Sequence, residues 1–321
     1  MELNKNSIAW YRKAGSYLLV VLITIPGVLA ADRYLLHNRT GEKFLSAADT
    51  ISLQITSPAI PAALDFCGEK VPLDKFYVRE RIDREMIVNS YFHSATILAF
   101  KRANRWFPVI EPILRKNNIP DDFKFLCVIE SNLENAVSPA NAVGFWQFTE
   151  GAAARYGLEV NDIVDERYNV EKSTEAACQY LKYAYSRFGS WTLAAASYNA
   201  GLEGVDKQIR RQKMKNYYNL LFGEETMRYV ARIVALKTIF AAPGLYGYRI
   251  PKEELYPGFE TRDIEINYRI NDLADFSIKE GISYKILKIL NPWLRDNVLP
   301  AKGKSYLLKV PKDKSMDPVG E

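Results

Sequence analysis

Apolar residues recur at helical spacing over most of this chain. Val78, Ile82, Met86 and Tyr91, with Ile87, mark one stripe, and Val109, Ile110, Ile113 and Leu114 mark a second. Pro108 is expected to open that second helix from a first-turn position. Pro120 followed by Asp121 and Asp122 predicts another helix start, with acidic groups near its positive end. That helix runs through Phe125, Leu126, Val128 and Ile129 to Glu130. A long helix over Val170 to Phe188 is bracketed by Asn169 as cap and Gly189 as stop. Ser190 caps an Ala-rich helix over Thr192 to Tyr198, where small side chains let backbones approach closely, and a last one spans Glu224 to Ala242 before Pro243 and Gly244. From about 75 to 242 the pattern is helical, with no alternating strand.

The pattern changes beyond that point. Tyr246 to Pro257 is dense in Gly, Pro and Tyr and reads as a linker wrapping over the helical part. Ile264, Ile266, Tyr268 and Ile270 then alternate with polar residues, a strand signal. Two short helices follow, Asp272 to Glu280 and Tyr284 to Leu290, with Asn271 and Ser283 as caps and Pro292 as stop. Tyr306 to Val310 forms a second strand and closes a βααβ unit. The fold class is therefore mainly α, a large helical domain with a small C-terminal βααβ module.

The N-terminal part carries a different message. Lys5, Arg12 and Lys13 precede an apolar stretch from Tyr17 to Ala31, which is the layout of an export signal. The stretch is shorter than the roughly 20 residues that span a bilayer, and Val28-Leu29-Ala30 offers a cleavage site, so removal is favoured over retention as a membrane anchor. No cysteine follows closely enough to carry a lipid. Residues 32 to 65, rich in Ser, Thr, Ala and Pro, read as a poorly structured lead-in.

Composition narrows the chemistry. With 321 residues, of which 48% are hydrophobic, the chain can bury a sizeable core. A net charge of +5, with both signs interspersed, gives no nucleic-acid arm and only mildly suits an anionic surface. Cys67, Cys127 and Cys178 form no CxxC pair and no Cys/His cluster, which argues against a metal. They read as buried thiols, with a disulfide between two of them left open. The two histidines, His37 and His93, lie in no HExxH-like arrangement, and no phosphate-cradling glycine loop exists. No cofactor is implied. What remains is a carboxylate.

Glu130 follows the apolar run Phe125 to Ile129 at a helix end, just before the polar turn begun by Ser131 and Asn132. A carboxyl in that company can be desolvated, which favours its neutral form and raises its pKa toward that of a general acid. An arbitrary helix-end glutamate more often keeps its head in water. Three further blocks change that balance: Gly144-Phe145-Trp146-Gln147-Phe148, Ala196-Ser197-Tyr198-Asn199-Ala200-Gly201, and Glu225-Thr226-Met227-Arg228-Tyr229-Val230.

With these blocks in this order, the chain closely resembles the lytic murein transglycosylases of the goose-type-lysozyme superfamily, especially the D-type membrane-bound members. The resemblance covers roughly 65 to 245. It implies a lysozyme-like helical domain that cuts the MurNAc-GlcNAc β-1,4 bond of peptidoglycan and leaves 1,6-anhydro-MurNAc ends. It also implies roles: Glu130 as the catalytic acid and base, Ser131 as a group that orients it or the substrate, and Gln147 as a hydrogen-bonding wall of the sugar site. Tyr198 and Asn199 would bind the N-acetyl group and fix the acid, and Tyr229 would face the same groove. Taken one at a time, Phe145, Trp146 and Phe148 could be core aromatics, Gln147 a surface residue, Ser131 a turn residue and Tyr229 a packing residue beside Ile233.

Glycosidases that use two carboxylates need a second one near the first. Glu134 is nearest in sequence and reads as solvated, and Asp162 and Asp165 read as surface-loop residues. The βααβ unit, with Asn291-Pro292-Trp293-Leu294 after its second helix, resembles a divergent LysM module, a type that binds N-acetylglucosamine-containing glycans. Its opening departs from that family, Ile270-Asn271-Asp272-Leu273 standing where Gly-Asp-Thr is usual.

The expected organisation is a signal peptide or anchor at 1–31, the lead-in at 32–65 and the transglycosylase domain at 66–245. A linker at 246–263, the LysM-like module at 264–312 and a tail at 313–321 complete it. The expected partners are peptidoglycan glycan strands, not nucleic acid, and the expected place is the cell envelope, periplasmic after export, with membrane association if the N-terminal segment is retained. A lysozyme-type hydrolase on the same scaffold, or a wall-binding protein without activity, are the rival readings.

Overall fold

The computed structural model describes residues 55–301 and 303–313. The predicted export segment and most of the lead-in and tail lie outside the described residues. Among the described residues no helix is long and apolar enough to cross a membrane.

A short hairpin, β1 (Asp65–Phe66) with β2 (Glu69–Lys70), leads into α1 (Phe76–Tyr91) and α2 (His93–Lys116). After a 3-10 turn at Asp121–Phe123 come α3 (Lys124–Ser131), α4 (Glu150–Arg155), α5 (Val170–Phe188), α6 (Trp191–Ala200), α7 (Leu202–Gln212) and α8 (Glu224–Ala241). The predicted caps operate at α5 and α6: the Asn169 side chain accepts from the Lys172 amide and the Ser190 side chain from Leu193, while Gly189 takes the left-handed turn between them. Thr192 to Ser197 are all buried, so α6 is the centre of the domain and α5, α7 and α8 pack round it. α1 lies along α8.

Three local expectations change. Pro108 does not open a helix, because α2 runs from His93 to Lys116 with Pro108 and Pro112 inside it. A proline removes one backbone donor, and packing of Ala99, Ala103, Ile110 and Leu114 against the core holds the helix together across both. Ile87 is 37% exposed, and the buried face of α1 is Val78, Ile82, Glu85, Met86 and Ser90, so a carboxylate sits inside the apolar stripe. α4 and α7 had no counterpart in the sequence pattern.

In the C-terminal unit β3 (Thr261–Ile266) pairs antiparallel with β4 (Tyr306–Pro311), with α9 (Leu273–Glu280) and α10 (Tyr284–Leu290) between them. Asp272, not Asn271, caps α9, accepting from the amides of Ala274 and Asp275; Ser283 caps α10 as predicted. Tyr268 lies past the end of β3 and is exposed, because the strand stops at Ile266.

This unit is stitched to the loop at 159–168 of the helical domain. The Asp165 amide donates to the Trp293 carbonyl at 2.9 Å, and the Arg295 amide to that of Ile163 at 2.8 Å. Val164 is buried in the apolar cluster of the small unit, and Lys304 and Tyr306 both reach Glu159. The segment predicted as a wrapping linker does cross the helical domain, where the buried Tyr248 donates to the carbonyls of Asn89 and Ser90, and Asn104 and Arg105 hold the carbonyls of Tyr256 and Pro257.

Candidate active site

Glu130 stands one residue before the end of α3, behind the buried residues Phe125, Leu126, Cys127 and Val128. The helix ends because Asn132 and Leu133 both adopt left-handed backbone, at φ of 53° and 57°, and turn the chain away. Tyr229 of α8, itself buried, donates its hydroxyl hydrogen to Glu130 Oε1. Burial dominates the electrostatics and pushes the Glu130 carboxyl up to about 7; the Tyr229 hydrogen bond works against this, nearby Glu225 adds to it, and Arg232 opposes it. Near neutral pH the group is thus divided between its acid and base forms, and it can both give and take a proton.

The block from Gly144 to Phe148 folds back as a tight loop closed by paired bonds between Val143 and Phe148, at 3.0 and 3.2 Å. Gly144 has φ of +80°, and a Cβ there would stand 2.1 Å from the Arg167 carbonyl oxygen, so only hydrogen fits. Phe145, Trp146 and Phe148 are core residues, and the Trp146 indole donates to Thr174 Oγ1 at 2.8 Å.

The Ser131 side chain makes no hydrogen bond to Glu130 among the described residues. Its hydroxyl lies 3.0 Å from the Phe145 carbonyl and 3.1 Å from that of Cys127, and so it ties the end of α3 to the loop. Gln147 is half-buried at φ of 50°, and its side-chain nitrogen donates to the carbonyls of Ala136 and Gly144. Only its amide oxygen is left to face a ligand. The Tyr198 hydroxyl donates to the Trp146 carbonyl at 2.8 Å, which joins α6 to the same loop, and Asn199 Oδ1 accepts from Thr226 at 2.6 Å, leaving its amide nitrogen without a hydrogen bond among the described residues. Burial raises the hydroxyls of Tyr198 and Tyr229 well above the usual range, with the Glu130 charge reinforcing it, so both remain donors. Glu130, Tyr229 and Tyr198 are therefore one electrostatic group, and Asn199 follows Tyr198 directly on α6.

Other carboxylates are engaged elsewhere. Glu134 is half-exposed and paired with Arg102. Asp162 is exposed, whereas Asp165, expected at the surface, is buried because it forms a two-pronged ion pair with Arg167 at 2.7 and 2.9 Å. Arg167 then donates to the carbonyls of Asn141 and Phe148, on either side of the Gln147 loop. In the sequence Asp165 reads as a surface-loop residue and Arg167 shows no role, because their pairing and burial depend on contacts the local pattern does not show. All three cysteines are free thiols; burial raises each, Cys178 to about 12, so none is a thiolate near neutral pH. Among the described residues no group of His, Cys, Asp and Glu could hold a metal.

Comparison with known proteins adds to this geometry. Residues 107–221 match the family described as the transglycosylase SLT domain, and residues 262–314 match the soluble lytic transglycosylase C-terminal LysM-like domain. The chain is 30% identical over 241 residues to a protein named membrane-bound lytic murein transglycosylase D of Escherichia coli (strain K12), an alignment covering 73% of this chain and 52% of that relative. The same figures hold for the protein of that name from Escherichia coli O6:H1. A putative tributyltin chloride resistance protein of Alteromonas sp. (strain M-1) is 31% identical over 127 residues, 39% of this chain and 61% of that one. The chain thus spans about half the length of the Escherichia coli relatives.

Proposed function

The chain carries a transglycosylase SLT domain followed by a LysM-like domain, and we propose that it cleaves the MurNAc-GlcNAc β-1,4 bond of peptidoglycan as a lytic transglycosylase of the cell envelope. The observation that carries this reading is the Glu130 carboxyl, held by Tyr229 and raised to about 7. In its acid form Glu130 protonates the glycosidic oxygen while the substrate's acetamido carbonyl attacks the anomeric carbon from the opposite face. The ionised Glu130 then takes the proton of the MurNAc C6 hydroxyl, whose oxygen displaces the acetamido group and closes a 1,6-anhydro ring without consuming water. Asn199, through its amide nitrogen, and Tyr198 bind the N-acetyl group, Gln147 offers its amide oxygen to the sugar, and Ser131 positions Glu130 indirectly by fixing the end of α3 to the loop. These parts are expected to lie in the domain assigned to 66–245, with the module at 264–312 set beside it, and the N-terminal segment at 1–31 directs export.

Mass spectrometry of fragments released from purified sacculi tests the reaction, since anhydro-MurNAc ends are expected and reducing, hydrated ends alone overturn it. A hydrolytic reading is favoured by one observation, the effect of the Glu225 charge on Glu130, which places a second carboxylate in its neighbourhood. The same product analysis decides between them.

Tyr229→Phe is expected to raise the Glu130 pKa further, because the lost hydrogen bond stabilises the ionised form. The basic limb of the pH–kcat/KM profile, on which the acid form is lost, then moves to higher pH. Activity at pH 6 falls by about tenfold through loss of positioning, the worth of one hydrogen bond to a charged group. An unmoved basic limb argues against Glu130 as the titrating acid.

A further inference from the structure

Beside Glu130 lies an open cavity of about 430 Å³, walled by α1, α2, the end of α3 and α8, within the range of ligand sites. Its chemistry is unlike a plain sugar groove. Glu85, only 1% exposed, forms its floor, and three guanidinium groups surround that one carboxylate. Arg84 and Arg228 each hold Glu85 Oε1 at 2.6 Å. Arg232 stands 3.8 Å from Oε2, makes no hydrogen bond among the described residues, and lines the cavity with Arg228. One negative charge thus faces three positive ones, and Arg232 has donors left over. Glu225, a turn before Arg228 on α8, does not line the cavity, and Glu134 is paired with Arg102. The walls on the side of α3 are Val128, Ile129 and Asn132; Glu130 itself does not line the cavity, and the link to it is Arg232, whose charge acts on the Glu130 carboxyl.

We propose that this cavity is an anion subsite in which Arg232, backed by Arg228, receives a carboxylate of the stem peptide attached to the MurNAc unit at Glu130. The inference rests on the transglycosylase reading and deepens it from a glycan-only site to one that reads the peptide substituent. In the strands proposed as substrate the sugars carry no charge apart from the peptides hung on the MurNAc lactyl group. On a glycan stripped of its peptides this excess of guanidinium meets only the lactyl carboxylate left on each MurNAc. On a substituted strand it meets carboxylates at short range, in planar, multiply hydrogen-bonded geometry. Val88 and Phe92, 42% and 63% exposed at the rim, offer apolar surface to the peptide's alanine methyl groups.

The test compares kcat/KM on glycan strands whose stem peptides keep their carboxylates free and on the same strands with those carboxylates amidated. Wild-type protein is expected to prefer the strands with free carboxylates, and Arg232→Gln to lose about tenfold of that preference, the usual worth of a charge-assisted hydrogen bond. Removing Arg232 also raises Glu130, but that acts on both substrates and cancels in the ratio. The wild-type preference should fall as NaCl rises, and the variant's should not. Equal loss on both substrates, or a wild-type ratio of one, overturns the subsite and leaves the transglycosylase reading standing. Failure of the wild type to cleave either substrate overturns the reading itself.

Discussion

Under the proposed mechanism, Glu130→Gln is expected to lower the release of soluble fragments from sacculi by about a thousandfold or more, because a single carboxyl would donate a proton and then accept one, and each role is worth about 10²–10⁴ in rate. The same substitution should make the protein more stable at alkaline pH, and this separates loss of chemistry from loss of fold. The folded state holds the Glu130 proton more tightly than the unfolded chain, at about 7 against a usual 4.5. Stability therefore declines as pH rises from 4.5 to 7 and stays lower above that, by an upper bound of about 3 kcal/mol from this group. A glutamine carries no such penalty and can still accept the Tyr229 hydroxyl hydrogen. Melting curves should coincide near pH 4, and the variant should melt several degrees higher at pH 8, about 2–4 °C for each kcal/mol relieved. A variant that melts lower at pH 8, or that keeps wild-type activity, is incompatible with a desolvated acid at this position.

That Glu130 stands out in the sequence depends on contrast: an apolar run, then a carboxylate, then a polar turn, with Tyr, Asn and Gln in separate blocks. Periodicity located α5, α6 and α8 to within a residue or two at each end, since α5 and α6 begin on a side-chain cap and end on a glycine, and α8 begins after Gly223 and stops before Pro243. What could not be read is the direction in which polar groups spend their hydrogen bonds. Ser131 and Gln147 look like ligand-facing residues, yet the Ser131 hydroxyl and the Gln147 amide nitrogen are satisfied by backbone carbonyls of the loop they belong to. Nor does a one-dimensional pattern show that Glu85 is buried by three arginines on α1 and α8, or that the LysM-like unit pins residues 159–168, because both depend on contacts far apart in sequence. α4 and α7 were missed for a related reason: α4 has one buried residue, Ala153, and α7 has only Val205, so neither repeats a stripe long enough to register.

Arg167→Ala is expected to cost about 3–5 kcal/mol of stability, since it strands Asp165 as a buried charge, and to lower the melting temperature by about 10 °C. Arg167 and Asp165 have side chains only 10% and 9% exposed, so water cannot replace the lost partner. The guanidinium also reaches the carbonyls of Asn141 and Phe148, and the Arg167 carbonyl lies under Gly144, so the loop that carries Gln147 rests on this residue from two sides. Asp165 in turn donates its amide hydrogen to Trp293, so the LysM-like unit supports the same clamp from behind. A double variant, Asp165→Asn with Arg167→Met, removes both charges and should recover most of the lost stability, because a buried pair replaced by neutral side chains of similar volume is often near neutral in stability. It cannot restore the two carbonyl contacts, and kcat should stay low where stability returns. If kcat recovers along with the melting temperature, the clamp serves the fold alone and does not position Gln147 and the loop beside Glu130.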